Sequence, residues 1–250
     1  MHDVLKVDVK EDIYRENNHI AAHINEDLTE AGIFMVNVMG APGVGKTTSL
    51  KRILENLKEN VPYIIEGDIE SDLDTKHLRE LGIRAFQINT FGACHLDAPQ
   101  IHNAVQNILF EKDKKGILFV ENIGNLVCPA EFVVGEHIKL LISPVTEGSD
   151  KPYKYPLAFE KADVILLNKV DLLPYLDFDE EFFMKGVRAL NPDVPVFKVS
   201  GRTGEGYAEV AAWLEHQAAH MTCTGHHHHG DGQVEHHHHH GEEEEHHHHE

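Results

Sequence analysis

Gly40-Ala41-Pro42-Gly43-Val44-Gly45-Lys46-Thr47-Thr48 stands directly after the apolar run Ile33 to Val38 and fits the pattern G-x-x-x-x-G-K-[ST]. A buried strand, a glycine-rich turn and a helix are the context in which that pattern cradles phosphate. Glycine lets the backbone curl close to an anion, so that successive N–H groups and the N-terminus of the next helix point at one place. Gly40, Gly43, Val44, Gly45, Lys46, Thr47 and Thr48 are therefore expected to hold a nucleoside triphosphate. Lys46 would reach the β- and γ-phosphates and offset their charge, and Thr47 would offer its hydroxyl to Mg²⁺. The competing interpretation, a strand-to-helix turn with no ligand, needs the same local structure.

A second apolar strand pattern, Asp163 to Leu167, runs into Asn168-Lys169-Val170-Asp171, an N-K-x-D sequence at a strand's C-terminal edge. The carboxylate of Asp171 can accept from N1–H and the exocyclic amine of guanine together, and adenine offers neither donor. Asn168 would meet the opposite base edge and the Lys169 stem would cover the ring face, so the nucleotide is expected to be GTP. Ser200-Gly201-Arg202-Thr203-Gly204-Glu205-Gly206 follows the strand pattern Val194 to Val199 and fits the last base-contacting loop, with Ser200 and Gly201 at its start. Read blandly, it is a glycine-rich connection before a helix.

Around these motifs the pattern alternates. Glu11 to Ala31 carries Ile13, Ile20, Ile24 and Leu28 at helical spacing, and Thr47 to Glu59 has Leu50, Ile53, Leu54 and Leu57 on one side. Strands are predicted near Tyr63 to Glu66, Arg84 to Ile88, Ile117 to Glu121 and Ile138 to Ile142, and helices near Asp72 to Leu81, Pro99 to Leu109 and Tyr207 to His220. Short continuous apolar strands alternating with helices predict an α/β fold, a mainly parallel sheet sandwiched by helices, with ligands at the strands' C-terminal edge. We divide the chain into an N-terminal helical segment (1–32), a nucleotide-binding domain (33–221) and a tail (222–250).

The 250 residues are 41% hydrophobic, enough for one sizeable core. With 22 Lys and Arg against 42 Asp and Glu, the net charge is -20, which argues against nucleic acid or an anionic membrane as partner. The first residues lack a signal pattern and no apolar run approaches the roughly 18 residues that span a bilayer, so a cytoplasmic protein is expected. Three cysteines, Cys94, Cys128 and Cys223, are an odd count that suits a metal site or a free thiol better than a disulfide framework.

Cys94-His95 falls in a loop after the strand pattern Arg84 to Ile88, and Cys128 lies four residues past Gly124 of Glu121-Asn122-Ile123-Gly124. The latter segment occupies the place of the loop that senses the γ-phosphate in GTPases. Two thiolates and an imidazole would make a soft, incomplete ligand shell suited to Ni²⁺ or Zn²⁺. Read blandly, the cysteines are small buried hydrophobes and the histidine lies on the surface.

Glu66-Gly67-Asp68-Ile69, Gln87-Ile88-Asn89-Thr90, Cys94-His95-Leu96-Asp97-Ala98 and Glu121-Asn122-Ile123-Gly124-Asn125-Leu126-Val127-Cys128-Pro129-Ala130 resemble the hydrogenase nickel-incorporation GTPases, the HypB family, over about residues 30 to 220. The resemblance implies a SIMIBI-like G domain that hydrolyses GTP and forms a homodimer. It implies a metallochaperone that works with a nickel-delivery companion chaperone and the hydrogenase large subunit to insert nickel. It maps Cys94, His95 and Cys128 onto the family's metal site and Asp68 onto the acidic residue near Mg²⁺. Two roles are open to Glu121: positioning the attacking water, or holding Mg²⁺ through water. The Cys-Pro-His motif of the urease-maturation relatives is absent, and Met1 to Asp12 lacks the cysteine-rich nickel motif of some family members.

A histidine-rich tail supplies a different nickel-binding element. His226, His227, His228, His229, His236, His237, His238, His239, His240, His246, His247, His248 and His249 alternate with glycine and glutamate. With almost nothing apolar to bury, such a tail is expected to be disordered, while its neutral imidazoles are good ligands for Ni²⁺ and Zn²⁺. A flexible segment of about 25 residues spans roughly 25–30 Å, enough to reach the Cys94 region. A purification tag is the bland interpretation, against which the glutamate blocks weigh. The function expected from all this is a GTP-hydrolysing nickel chaperone. The alternatives are a nickel buffer with nucleotide-controlled assembly, a urease-type maturation GTPase, or a small-molecule kinase, the last disfavoured by Asn168-Lys169-Val170-Asp171.

Overall fold

The computed structural model describes residues 9–67, 83–90 and 92–221. Asp68, the predicted helix near Asp72 to Leu81, and the tail with Cys223 and its histidines lie outside the described residues. Among the described residues seven strands form one wholly parallel sheet: β1 (Ile33–Met39), β2 (Val61–Glu66), β3 (Arg84–Gln87), β4 (Gly116–Glu121), β5 (Ile138–Pro144), β6 (Val164–Asn168) and β7 (Val196–Lys198), in the order β3-β2-β4-β1-β5-β6-β7. Every residue of β1, β4, β5 and β6 is buried, which is why these strands read as continuous apolar runs.

Helices cover both faces. On one, Leu50 and Ile53 of α2 (Lys46–Asn56) pack with Tyr207, Val210 and Leu214 of a C-terminal helix (Tyr207–Ala219) against Val36, Phe119 and Leu140. On the other, Ala21, Ile24 and Leu28 of α1 (Val9–Glu30) and Ile101 of α3 (Ala98–Asn107) cover Met35, Ile65 and Leu118. The N-terminal helix thus shares the core of the sheet. Farther along that face, α4 (Cys128–Glu131), α5 (Lys151–Lys154), α6 (Pro156–Glu160) and α7 (Glu180–Leu190) lie by β5 and β6, and Phe159 and Phe183 fill the space beneath. The C-terminal helix is α8.

The predicted α2 runs three residues too far, to Glu59. Leu57 turns extended, and the N–H groups of Lys58, Glu59 and Asn60 gather on one carboxylate oxygen of Glu215 in α8, at 2.8, 2.6 and 3.4 Å. A helix that continued would forfeit this tie. Helix α7 escapes the periodicity reading; it starts at Asp179, whose carboxylate accepts from Phe182 N–H at 2.9 Å. Among the described residues no helix is long and apolar enough to cross a membrane.

Candidate functional site

The central strand β1 delivers Gly40 to the C-terminal edge of the sheet, and α2 begins at Lys46. Between them Gly45 has φ +98°, and a Cβ there would lie 2.9 Å from Asn168 Nδ2, so only glycine permits both the turn and the close approach. The ammonium of Lys46 lies 3.4 Å from Gly40 O and 3.5 Å from Ala41 O, folded across its own loop. Thr47 Oγ1 donates to Glu121 Oε1 at 2.9 Å. Glu121, the last residue of β4, is in register with Glu66 at the end of β2, and both are buried. A hydroxyl beside a carboxylate at the foot of a phosphate loop is an oxygen set that fits Mg²⁺.

The N-K-x-D segment meets this loop from the far side of β5. Asn168, buried at the end of β6, donates through Nδ2 to Val44 O at 2.9 Å, and its Oδ1 accepts from Lys169 N at 2.7 Å and Gly201 N at 3.4 Å. Expected at the base edge, its amide braces the phosphate loop in this structure. Lys169 has a left-handed backbone, φ +62°, and its ammonium donates to Gly43 O at 2.8 Å. Ser200 donates its hydroxyl to Asp171 Oδ1 at 2.6 Å, and Arg52 of α2 donates to Gly201 O at 2.9 Å. The phosphate loop and its helix are therefore bonded into one edge with two motifs that lie more than a hundred residues later in the chain. Tyr207, which the sequence reading did not single out, sits fully buried beneath them. Its hydroxyl is 2.7 Å from Ser49 Oγ and 3.5 Å from Asn168 Oδ1.

On the other side of the phosphate loop the structure brings Cys94, His95 and Cys128 together. Cys94 Sγ is 3.3 Å from His95 Nδ1 and 3.4 Å from Cys128 Sγ, and the donor atoms of the three residues lie within 4.8 Å of one another. A nickel or zinc ion held at about 2.0–2.3 Å by sulfur and nitrogen keeps adjacent donors roughly 3–4 Å apart, so the cluster fits one such ion and leaves room for a further ligand. Burial pushes the His95 imidazole below its ordinary range, against the pull of Asp97 and Glu131, which favours the neutral, metal-binding form. Burial and the neighbouring Cys94 push the Cys128 thiol up, so a bound cation would have to displace its proton.

Packing the sequence does not announce fixes these three residues. Asp97 and Gln100 form a reciprocal cap that starts α3 directly after the Cys94–His95 loop. Asn17 of α1 bridges Val133 O and Ala98 N at 2.8 and 2.9 Å. The rings of Tyr14, Phe132 and His95 stack in a column with centroids 4.6 and 4.2 Å apart. The cluster also adjoins the phosphate loop. Gly40 bridges Asn125, whose amide donates to Cys94 O at 3.2 Å, and a Cβ on Gly124 would strike Pro42 at 2.8 Å.

A wholly parallel sheet with a phosphate loop after its central strand and an N-K-x-D loop bonded to it defines a P-loop nucleotide-binding protein of the G-domain class. Residues 34–198 match the family "CobW/HypB/UreG, nucleotide-binding domain". The hydrogenase maturation factor HypB of Azotobacter chroococcum is 45% identical over 212 residues, which are 84% of this chain and 69% of the relative. Among solved structures, HypB from Helicobacter pylori in complex with nickel aligns with a TM-score of 0.76 at 31% identity, covering 82% of this chain and 96% of that one. The hydrogenase maturation factor HypB of Archaeoglobus fulgidus aligns with a TM-score of 0.75 at 35% identity, covering 82% and 99%. The chain belongs to the HypB family of hydrogenase maturation factors.

Proposed function

We propose that the protein binds and hydrolyses GTP and uses that cycle to place nickel into hydrogenase during its maturation. The observation that carries this reading is the adjacency of the two sites: Gly124 packs on Pro42, and Asn125 ties Gly40 to Cys94. The nickel complex of the Helicobacter pylori relative supports nickel as the cargo.

The phosphate loop binds the β- and γ-phosphates through its backbone N–H groups and Lys46, and Asp171, steadied by Ser200, selects guanine. Mg²⁺, when bound, neutralises charge on the phosphates, and Thr47 and Glu121, with Asp68, are the residues to hold it. Glu121 stands where a carboxylate could orient the attacking water instead. Loss of the γ-phosphate relaxes the loop from Glu121 to Gly124, which carries Cys128 four residues on and so alters the cargo site. The position left open by Cys94, His95 and Cys128 is filled by solvent or by a second copy in a homodimer. The histidines of the tail collect nickel, with zinc as a competitor for both sites, and a companion chaperone and the hydrogenase large subunit lie downstream.

The test is nickel transfer from loaded protein to a hydrogenase precursor, with phosphate release followed in parallel. GTP should accelerate transfer and a non-hydrolysable analogue should not. Equal transfer with both, or no phosphate release at all, refutes the coupled cycle and leaves a buffer.

A further inference from the structure

Beneath the cysteine cluster runs a buried polar chain that starts in the loop from Glu121 to Gly124 and ends under Cys128. Asn37 of β1 and Lys139 of β5 are cross-strand partners, 0% and 7% exposed, on the face that otherwise carries Met35, Met39 and Leu141. The Lys139 ammonium donates to Glu136 Oε1 at 2.6 Å, to Phe132 O at 2.8 Å and to Pro129 O at 3.1 Å. Its three donors are thereby all used. Glu136 in turn accepts from Val134 N at 2.6 Å and from Asn37 Nδ2 at 3.4 Å. Asn37 Oδ1 accepts from Asn122 Nδ2 at 3.1 Å, and Asn122 Oδ1 accepts from Leu96 N at 3.1 Å and Ile123 N at 2.9 Å.

The two ends of this chain are the two halves of the metal cluster. Leu96 follows His95, and Pro129 follows Cys128. Phe132, whose carbonyl Lys139 also holds, stacks its ring on His95. Helix α4 has only four residues, too few to hold its own geometry, so its carbonyls depend on an outside donor. An ion pair this deep confers little stability over apolar residues of the same size, so stability alone does not account for it.

We propose that Lys139 and Asn122 are positioning residues of the metal site, which through Glu136 and Asn37 set the separation of Cys128 from Cys94 and His95. The proposal rests on the reading of that cluster as a metal site. Groups that orient metal ligands from outside typically change metal affinity about 10–100-fold when altered.

The test uses the full chain with Cys223→Ser, so that thiolate-to-nickel charge-transfer absorption reports only Cys94 and Cys128 while the tail's imidazoles stay silent. Ni²⁺ is titrated in against a competing chelator. The parent should show the band and Cys128→Ala should lose it; a parent without the band refutes the metal-site reading itself. Glu136→Gln combined with Lys139→Met removes both charges together, leaving no lone buried ion. It should keep the parent's GDP affinity and circular dichroism, weaken nickel binding at the thiolate site about ten-fold or more and alter the band. Parental nickel affinity with an unaltered band in that variant overturns the proposal. Should it fail to fold, Asn122→Ser reads the other end of the chain, with the same loss expected and parental nickel affinity overturning the proposal.

Discussion

Asn168 and Asn122 hold comparable places in opposite halves of the sheet. Each is 2% exposed at the C-terminal edge of a strand, and each donates its amide to one partner while its carbonyl gathers backbone N–H groups from two segments. Asparagine suits this because one short side chain donates on one side and accepts on the other, which a carboxylate cannot do. What surrounds them differs. Asn168 rests on neutral hydroxyls, Ser49 and Tyr207, whereas the chain from Asn122 ends in the Glu136–Lys139 ion pair, next to His137. Neutral hydroxyls back Asn168, whereas the cysteine half is backed by a buried ion pair and, adjoining it in the chain, the imidazole of His137.

The largest effect should separate chemistry from scaffold on the nucleotide side. Lys46→Ala removes the charge that offsets the phosphates and should lower the rate of phosphate release by about 100-fold or more, with an unchanged circular dichroism spectrum. If melting fell along with the rate, the lysine would count as part of the frame around Asn168, and the contrast between the halves would weaken.

Acid should attack the other half first. Met35 N–H donates to His137 Nδ1 at 2.8 Å and Nε2 lies 2.9 Å from Thr29 Oγ1, whose own hydroxyl is 2.7 Å from Asn25 O. The ring is therefore held neutral with its proton on Nε2, and burial pulls its pKa from 6.5 down to about 4. Between those values the unfolded chain binds the extra proton and the folded one does not. This contribution is thus complete above pH 6.5 and is lost as pH falls toward 4, a change on the order of 3 kcal/mol. His137→Asn keeps an acceptor near Met35 N–H and should flatten the pH dependence of urea unfolding between pH 6.5 and 4. An unchanged slope would break the contrast.

A smaller effect tests the base reader. Asp171→Asn replaces a double acceptor with a mixed donor and acceptor, and should weaken GTP by about 2 kcal/mol, roughly thirty-fold, while improving xanthosine triphosphate. Competition binding with the two nucleotides measures it, and unaltered GTP affinity would remove Asp171 from the site. The smallest expected effect joins the halves. Nickel affinity of the cysteine cluster should differ between the GDP state and a non-hydrolysable GTP analogue by about 1 kcal/mol, and nucleotide affinity must change by the same factor when nickel is bound. Equal affinities would mean that Gly124 and Asn125 transmit nothing from the phosphate loop.

The glycine spacing before Lys46, the N-K-x-D after β6 and the apolar runs between them were readable in one dimension, because phosphate and guanine demand fixed residue types at fixed separations. Cys94, His95 and Cys128 were readable as residue types and by resemblance. That their donor atoms lie within 4.8 Å of one another belongs to the fold, since 34 residues of strand, helix and loop bring the two cysteines together. The polar chain left a trace, Asn37 and Lys139 each interrupting an apolar strand, but no rule of sequence pairs them. Only the parallel register of β1 with β5 makes them neighbours. Likewise α2 ends where Glu215, some 160 residues later, collects its N–H groups. Local patterns follow from backbone geometry and ligand chemistry, which act over a few residues. The partners of a buried donor or charge follow from which strands the sheet places side by side.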